Sequence, residues 1–213
     1  MEIYNSEQEQ VEAIKKWWKE NGMAIVLGIA LGLAGVFGWR WWVGHQQQVA
    51  AQASGLFTQV LGNFASNRPE QAQSAAKELE ADHAGSAYAV MAAFAQAAQS
   101  VQSGDLAAAA DRLRWALDNA KQPELQNTAR LRLARVLLAD GKADEALALV
   151  TGVDGGSYQP AYDEVRGDIL AAKGQQEQAR EAYTSALAAL PATADNRDVV
   201  QMKLDDLAAP TAN

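Results

Sequence analysis

Apolar and polar positions divide the chain into two regions with different patterns. From Met23 to Gly44 the sequence reads MAIVLGIALGLAGVFGWRWWVG, an apolar run whose first charge is Arg40. From residue 46 onward, apolar positions recur at helical spacing between short breaks rich in glycine, asparagine, acids and proline. The pattern predicts an all-α chain with a single apolar N-terminal helix and a helical domain.

The apolar run predicts a transmembrane helix over residues 23–43. A helix rises about 1.5 Å per residue, so the stretch from Trp18 to Trp39 would measure about 31 Å, close to the thickness of bilayer hydrocarbon. Five of the six tryptophans bracket the run, at the interface positions that indole prefers: Trp17, Trp18, Trp39, Trp41 and Trp42. A buried core helix would not explain this bracketing, and a cleaved signal peptide would have a shorter run followed at once by a small-residue site.

Basic residues predict the orientation of this helix. Lys15, Lys16 and Lys19 precede the run, whereas only Arg40 follows it closely. Lysine and arginine near a span favour the cytoplasmic side, so residues 1–22 should be cytoplasmic and residues 44–213 should lie across the membrane.

Two further features of the N-terminal region carry predictions. Residues 1–22 should form a short amphipathic helix at the membrane surface, ending in a break at Asn21 and Gly22. Within the span, Gly28 and Gly32 form a G-x-x-x-G pattern that permits close approach of another helix. That helix could belong to a second copy or to another protein, and chance spacing is the alternative.

The region after residue 46 contains a repeat. The stretch GQQEQAREAYTSALAALP matches the tetratricopeptide pattern at Gly174, Ala179, Tyr183, Ala186 and Pro191, and the glycine expected seven residues before the turn is Gly167. The same register places earlier turns at Asn67, Gly104 and Gly141, although these units lack the aromatic and proline positions. The sequence therefore predicts a solenoid of about four helix pairs, because stacked pairs share a core that one pair cannot form alone.

The predicted helix pairs cover residues 46–65 and 69–81, 86–102 and 105–119, 124–139 and 142–152, and 159–172 and 175–190. A further helix from Asp195 is predicted to cap the last pair with Val199, Met202 and Leu207. In tetratricopeptide folds the first helix of each pair lines a concave, protein-binding face. By register, the candidate binding residues are Phe57, Leu61, Phe64, Met91, Phe94, Leu131, Arg135, Leu138, Glu164 and Asp168. The alternative is that these side chains pack internally or under the terminal elements.

Composition narrows the function classes. The chain has 213 residues and a net charge of -8, of which residues 46–213 carry a formal -7, so nucleic acid is not expected as a partner. There is no cysteine, and only two histidines, His45 and His83, occur. Acidic pairs are adjacent in sequence and would not converge on one substrate, and no catalytic or phosphate-binding motif occurs. We therefore expect no enzyme activity, no metal and no cofactor.

Several short stretches carry a family resemblance: MEIY at the start, QVEA from Gln10, ENG from Glu20, GWR from Gly38, LRLARV from Leu131 and QMKLDDL from Gln201. Their order and the shared architecture resemble the YfgM family, the ancillary subunits of the SecYEG translocon in the Gram-negative inner membrane. The resemblance covers essentially the whole chain.

This resemblance implies a single-pass inner-membrane protein with a periplasmic tetratricopeptide-like domain. It implies as partners SecYEG, the membrane-anchored periplasmic chaperone PpiD and nascent secretory proteins, which the family would help to reach periplasmic chaperones. It also implies a cytoplasmic role in restraining the Rcs response regulator. The alternative from the residues alone is a tetratricopeptide scaffold for envelope-assembly or division complexes.

Overall fold

The computed structural model describes residues 3–207, with side chains from residue 9 onward, and it confirms the all-α prediction for that range. The chain divides into two compact units between Ala51 and Gln52. The helices are α1 (Ile3–Ala65), α2 (Pro69–His83), α3 (Ala87–Gln102), α4 (Leu106–Asn119), α5 (Pro123–Ala139), α6 (Ala143–Val150), α7 (Gln159–Ala172), α8 (Gln176–Ala189) and α9 (Arg197–Asp206), with one 3-10 turn at Gly156–Tyr158.

The predicted break at Asn21 and Gly22 is wrong, because both residues lie inside α1. The Asn21 side-chain amide donates a hydrogen bond to the Trp17 carbonyl at 3.0 Å, so it supports the helix instead of ending it. The Trp18 indole covers Gly22, where an added Cβ would lie 3.1 Å from the ring. Asparagine and glycine often end helices. Here the contacts of Asn21 with Trp17 and of Gly22 with Trp18, one turn earlier, keep both residues helical.

The four predicted turn positions have the backbone conformation that the register requires. Asn67, Gly104, Gly141 and Gly174 have positive φ angles of 55°, 81°, 76° and 74°. At Gly104, the backbone N–H donates to Val101, and the next N–H donates to the carbonyl four residues before Gly104, at 3.0 and 2.9 Å. The other three turns repeat these two bonds, which define the Schellman motif that ends a helix.

Small side chains occupy the places where helices approach most closely. The alanines five residues after each turn, Ala72, Ala109, Ala146 and Ala179, are all fully buried. The two helices of each pair from α3 to α8 contact each other, and α5 also contacts α3 and α7. Buried side chains at the end of α1 pack with those of α2 and α3. The result is a two-layer stack in which α3, α5, α7 and the end of α1 form one layer and the even-numbered helices form the other.

The residues seven positions before and nine positions after each turn explain why only the last unit has the aromatic residue. An added Cβ at Gly167 would lie 2.5 Å from the ring of Tyr183, so the absence of a side chain there makes room for the ring. The other units carry a larger residue at the first position and a non-aromatic one at the second, all of them buried: Val60 with Ala76, Ala97 with Leu113, and Ala134 with Val150. The two side chains fill one space in the core, and their shares of its volume differ from unit to unit.

The C-terminal helix caps the last pair, but not with the face that the sequence indicated. Val200 is fully buried, and Leu204 and Leu207 pack against the core of α7 and α8. Val199 and Met202, predicted to face inward, are 43% and 57% exposed, so that part of the prediction is wrong. The charged and apolar contacts of α9 with α7 and α8 set this orientation, as described below.

Candidate protein-binding surface

The candidate binding residues lie three, six, ten or thirteen residues before a turn position. We call the surface formed by these positions, together with those two and nine residues before a turn, the first-helix face. Such spacings bring side chains to one side of a helix. The structure shows three degrees of exposure among them. Leu61 and Arg135 are exposed; Phe57, Phe64, Met91, Leu138 and Asp168 are half-buried; Phe94, Leu131 and Glu164 are buried.

The apolar part of the first-helix face begins at the end of α1. Leu61 is 44% exposed there, and the rings of Phe57 and Tyr88 lie 6.0 Å apart, centroid to centroid. Sequence reasoning missed Val101, which is 43% exposed three residues before the turn at Gly104. The same register that selected Phe64 and Leu138 would have found it.

The centre of the first-helix face is basic. The guanidinium carbon of Arg132 lies 4.7 Å above the centroid of the buried Phe94 ring. Arg135 follows one helical turn later on α5, and both arginines are exposed. Within residues 9–207 neither arginine forms an ion pair with an acidic side chain, so both keep their N–H donors available.

Glu164 and Asp168, the predicted acidic end of the face, lie under the terminal helix. The Lys203 ammonium lies 2.8 Å from an oxygen of Glu164 and 2.8 Å from an oxygen of Asp168. Asn196 also donates to Glu164 at 3.2 Å, and the Tyr183 hydroxyl donates to Asp168 at 2.8 Å. These two acids therefore follow the alternative interpretation, in which they pack under a terminal element.

Burial and hydrogen bonding shift the pKa values of two groups in this cluster. Burial alone would lower the pKa of Lys203, but its hydrogen bonds to Asp168 and Glu164 outweigh burial and raise it. Burial and the hydrogen bond to Asp168 raise the pKa of the Tyr183 phenol. At neutral pH the Lys203 ammonium therefore joins α9 to α7, and the neutral Tyr183 phenol joins α8 to α7.

The layer of second helices carries three clefts that sequence reasoning did not find. They lie between successive second helices and have volumes of about 390, 420 and 400 Å³. Each floor includes the residues eight and four positions before a turn: Gln96 and Ser100, Leu133 and Leu137, and Arg166 and Leu170. The residues eight and four positions before each turn could have been read from the sequence. They would have predicted a polar floor for the first cleft, an apolar floor for the second and a mixed floor for the third.

The N-terminal unit exposes its apolar side chains. Most large hydrophobic residues from Val11 to Trp42 are about half or more exposed, as a helix surrounded by lipid requires. No atom lies within 4 Å of the Cβ position at Gly28 or at Gly32, so this face is open within the chain. Among the described residues, α1 is the one helix long and apolar enough to cross a membrane.

Comparison with known proteins agrees with this architecture. A family model described as a tetratricopeptide repeat-like domain matches residues 15–209. A relative from Escherichia coli, named ancillary SecYEG translocon subunit, is 31% identical over 207 residues, covering 97% of this chain and 99% of the relative. The chain belongs to this family of ancillary SecYEG translocon subunits. Family members of the same name from Haemophilus influenzae and Neisseria gonorrhoeae are 34% and 30% identical, covering 86% and 97% of this chain and 90% and 100% of their own lengths.

Family membership confirms the resemblance and the tetratricopeptide-like fold. The family is one of ancillary translocon subunits and is not an enzymatic family. A single apolar helix near the N-terminus is consistent with a single-pass inner-membrane protein of this family. The absence of catalysis, metals and cofactors in this chain stays a prediction.

Proposed function

We propose that this chain is a membrane-anchored protein-binding subunit associated with the SecYEG translocon, which helps newly translocated proteins to reach periplasmic chaperones such as PpiD. The names of the relatives support the association with SecYEG. The observation that carries protein binding is the exposure of Leu61 and Val101, at 44% and 43%, on the first-helix face. Exposed apolar side chains in a helical groove suit an extended or helical peptide segment.

The proposed topology follows the charge distribution. Residues 1–22 are cytoplasmic, residues 23–43 cross the inner membrane, and residues 44–213 are periplasmic, because Lys15, Lys16 and Lys19 precede the span. The acidic repeat domain would be repelled by anionic headgroups and would stand away from the bilayer. On this topology residues 1–22 are the part that the Rcs response regulator could reach, so the regulatory role implied by the resemblance would rest on them.

Photo-crosslinking tests protein binding by the first-helix face. A photo-reactive residue placed at Leu61, Met91 or Leu138 in cells should capture SecYEG components, PpiD or nascent secretory chains, because these side chains are at least partly exposed on that face. The same residue at Glu78 or Thr184, exposed positions on second helices, should capture several-fold less. If none of the first three positions yields a translocon component, a chaperone or a secretory chain, the proposed function is wrong.

Arresting translation separates this function from a scaffold for envelope-assembly or division complexes. Crosslinks to secretory chains should disappear within minutes of arrest, because the supply of translocating protein ends. A scaffold would give crosslinks to one fixed partner that persist after arrest. Persistence of every crosslink, with no secretory chain among them, would favour the scaffold.

The glycine face of the membrane helix is a proposed contact with another transmembrane helix. Replacing Gly28 and Gly32 together by leucine should reduce recovery of SecYEG components several-fold in a mild-detergent pull-down, because bulk on this face prevents close approach. A Cβ added at either glycine has no other side chain within 4 Å, so a loss would report an intermolecular contact. The control replaces Ala30 and Ala34, equally spaced on another face, by leucine. Equal recovery with both variants would show that the glycines contribute only to the anchor.

A further inference from the structure

The exposed charges at the centre of the first-helix face are positive, although the domain that carries this face is acidic. Residues 46–213 have a formal charge of -7. At the positions two, three, six, nine, ten and thirteen residues before the four turns, the charged residues are Arg132, Arg135, Glu164 and Asp168. Glu164 and Asp168 share the Lys203 ammonium and also accept from Asn196 and Tyr183, so the charged side chains without such partners on this face are the two arginines.

The two arginines lie close enough together to bind neighbouring carboxylates. The guanidinium carbon of Arg132 lies over the Phe94 ring, 4.7 Å from its centroid, a contact that leaves the N–H donors of the guanidinium unused. Arg135 lies three residues further along α5, so the two side chains begin about 5–6 Å apart on the same helix surface. A planar guanidinium binds a carboxylate through two parallel hydrogen bonds. Two neighbouring guanidinium groups can therefore bind two neighbouring carboxylates of one peptide.

Apolar side chains lie beside this basic centre, towards the turns that end α3 and α5. Val101 is 43% exposed at the end of α3, and Leu138 is half-buried at the end of α5. A purely acidic ligand would leave this apolar surface uncovered, and a purely apolar ligand would leave the two guanidinium groups without partners. The complement of the surface is a peptide in which acidic and apolar side chains alternate.

We propose that the first-helix face binds acidic, amphipathic peptide segments, with Arg132 and Arg135 as the residues that recognise their carboxylates. This rests on the proposed function, since it specifies which peptides the same face accepts. The acidic character of the rest of the domain repels such a segment elsewhere, so Arg132 and Arg135 also direct it to one place.

Binding of matched peptides to the purified full-length chain in mild detergent tests this proposal. One fluorescent twelve-residue peptide carries leucine and glutamate, and a second replaces every glutamate by glutamine. The glutamate peptide should bind at least tenfold more tightly at 50 mM salt, and raising the salt to 300 mM should weaken it several-fold, because screening shortens the reach of exposed charges. Arg132→Gln/Arg135→Gln should remove the difference between the peptides, and Arg132→Lys should retain part of it.

A charge-matched variant separates local recognition from the overall charge. Lys77→Gln/Arg114→Gln changes the net charge by the same amount at two positions that line the clefts between second helices, and it should leave the tenfold preference intact. Equal binding of both peptides to the unmodified chain, or equal effects of the two double variants, would overturn the proposal. If crosslinks from Leu61 and Met91 form in cells while the purified unmodified chain binds both peptides equally, the proposed function stands and this inference fails.

Discussion

Gly167→Ala is expected to lower the free energy of unfolding of the repeat domain by about 1–3 kcal/mol, the usual cost of overpacking a core. A Cβ at this position would lie 2.5 and 2.6 Å from two ring carbons of Tyr183. The ring cannot move away freely, because it is 3% exposed and its hydroxyl is hydrogen-bonded to Asp168 at 2.8 Å. Chemical denaturation of the full-length chain in detergent, followed by helical circular dichroism, measures the loss.

A compensating change tests whether the clash is the cause. Gly167→Ala/Tyr183→Leu recreates the pair that Ala97 and Leu113 form in the second unit, so it should recover a large part of the loss. Gly62→Ala is the matched control, since no atom lies within 4 Å of its Cβ position and alanine favours a helix interior by up to about 1 kcal/mol. A Gly167→Ala protein as stable as wild type would show that this contact does not constrain the two helices.

The repeat register was predictable because its signals are backbone signals. A helix that ends in a left-handed residue needs glycine or asparagine there, and Asn67, Gly104, Gly141 and Gly174 supplied it. Small residues five positions later marked the close helix contacts. The aromatic position was a weaker guide, because Val60 and Ala76 fill the same space as Gly167 and Tyr183 with a different division of volume.

Helix ends and helix faces near the termini were harder to predict. Asn21 and Gly22 have the composition of a break, yet side-chain contacts with the preceding turn keep them helical. On α9, the apolar pattern could be aligned with either Val199 or Val200 facing inward. Lys203 and the burial of Val200 decide the orientation, and neither contact is visible in the pattern of a ten-residue helix.

The same limitation applies to the binding surface. The register placed Glu164 and Asp168 on the first-helix face, but it could not show that Lys203, 39 and 35 residues later in the chain, would form ion pairs with both. Arg132 was not selected, because the tetratricopeptide positions used for prediction omit the residue nine before the turn. Its stacking on Phe94 is a contact between neighbouring repeats and depends on the tertiary structure.

Lys203→Met is expected to lower the free energy of unfolding by about 1–3 kcal/mol and to reduce the hydrogen-exchange protection of α9 more than that of α3 or α5. Methionine keeps an apolar stem but leaves the side chains of Glu164 and Asp168, which are 11% and 23% exposed, without their cation. Removing one partner of a fully buried ion pair costs about 3–5 kcal/mol, and partial exposure reduces that cost here. Lys77→Met, at an exposed position on α2, should change stability by less than about 0.5 kcal/mol.

The pH dependence of this difference identifies the ion pair as its cause. The folded-state pKa of Lys203 is raised above its ordinary value of 10.5, so its contribution to stability is fully present below that pH. The contribution is lost as the pH rises through the folded-state pKa, because the unfolded chain releases the proton first. The stability difference between wild type and Lys203→Met should therefore be constant from about pH 7 to 9 and shrink above about pH 10.5. Tyr183, whose pKa is also raised, is present in both proteins. A difference that persists unchanged through the strongly alkaline range would assign the loss to packing by the lysine stem instead of its charge.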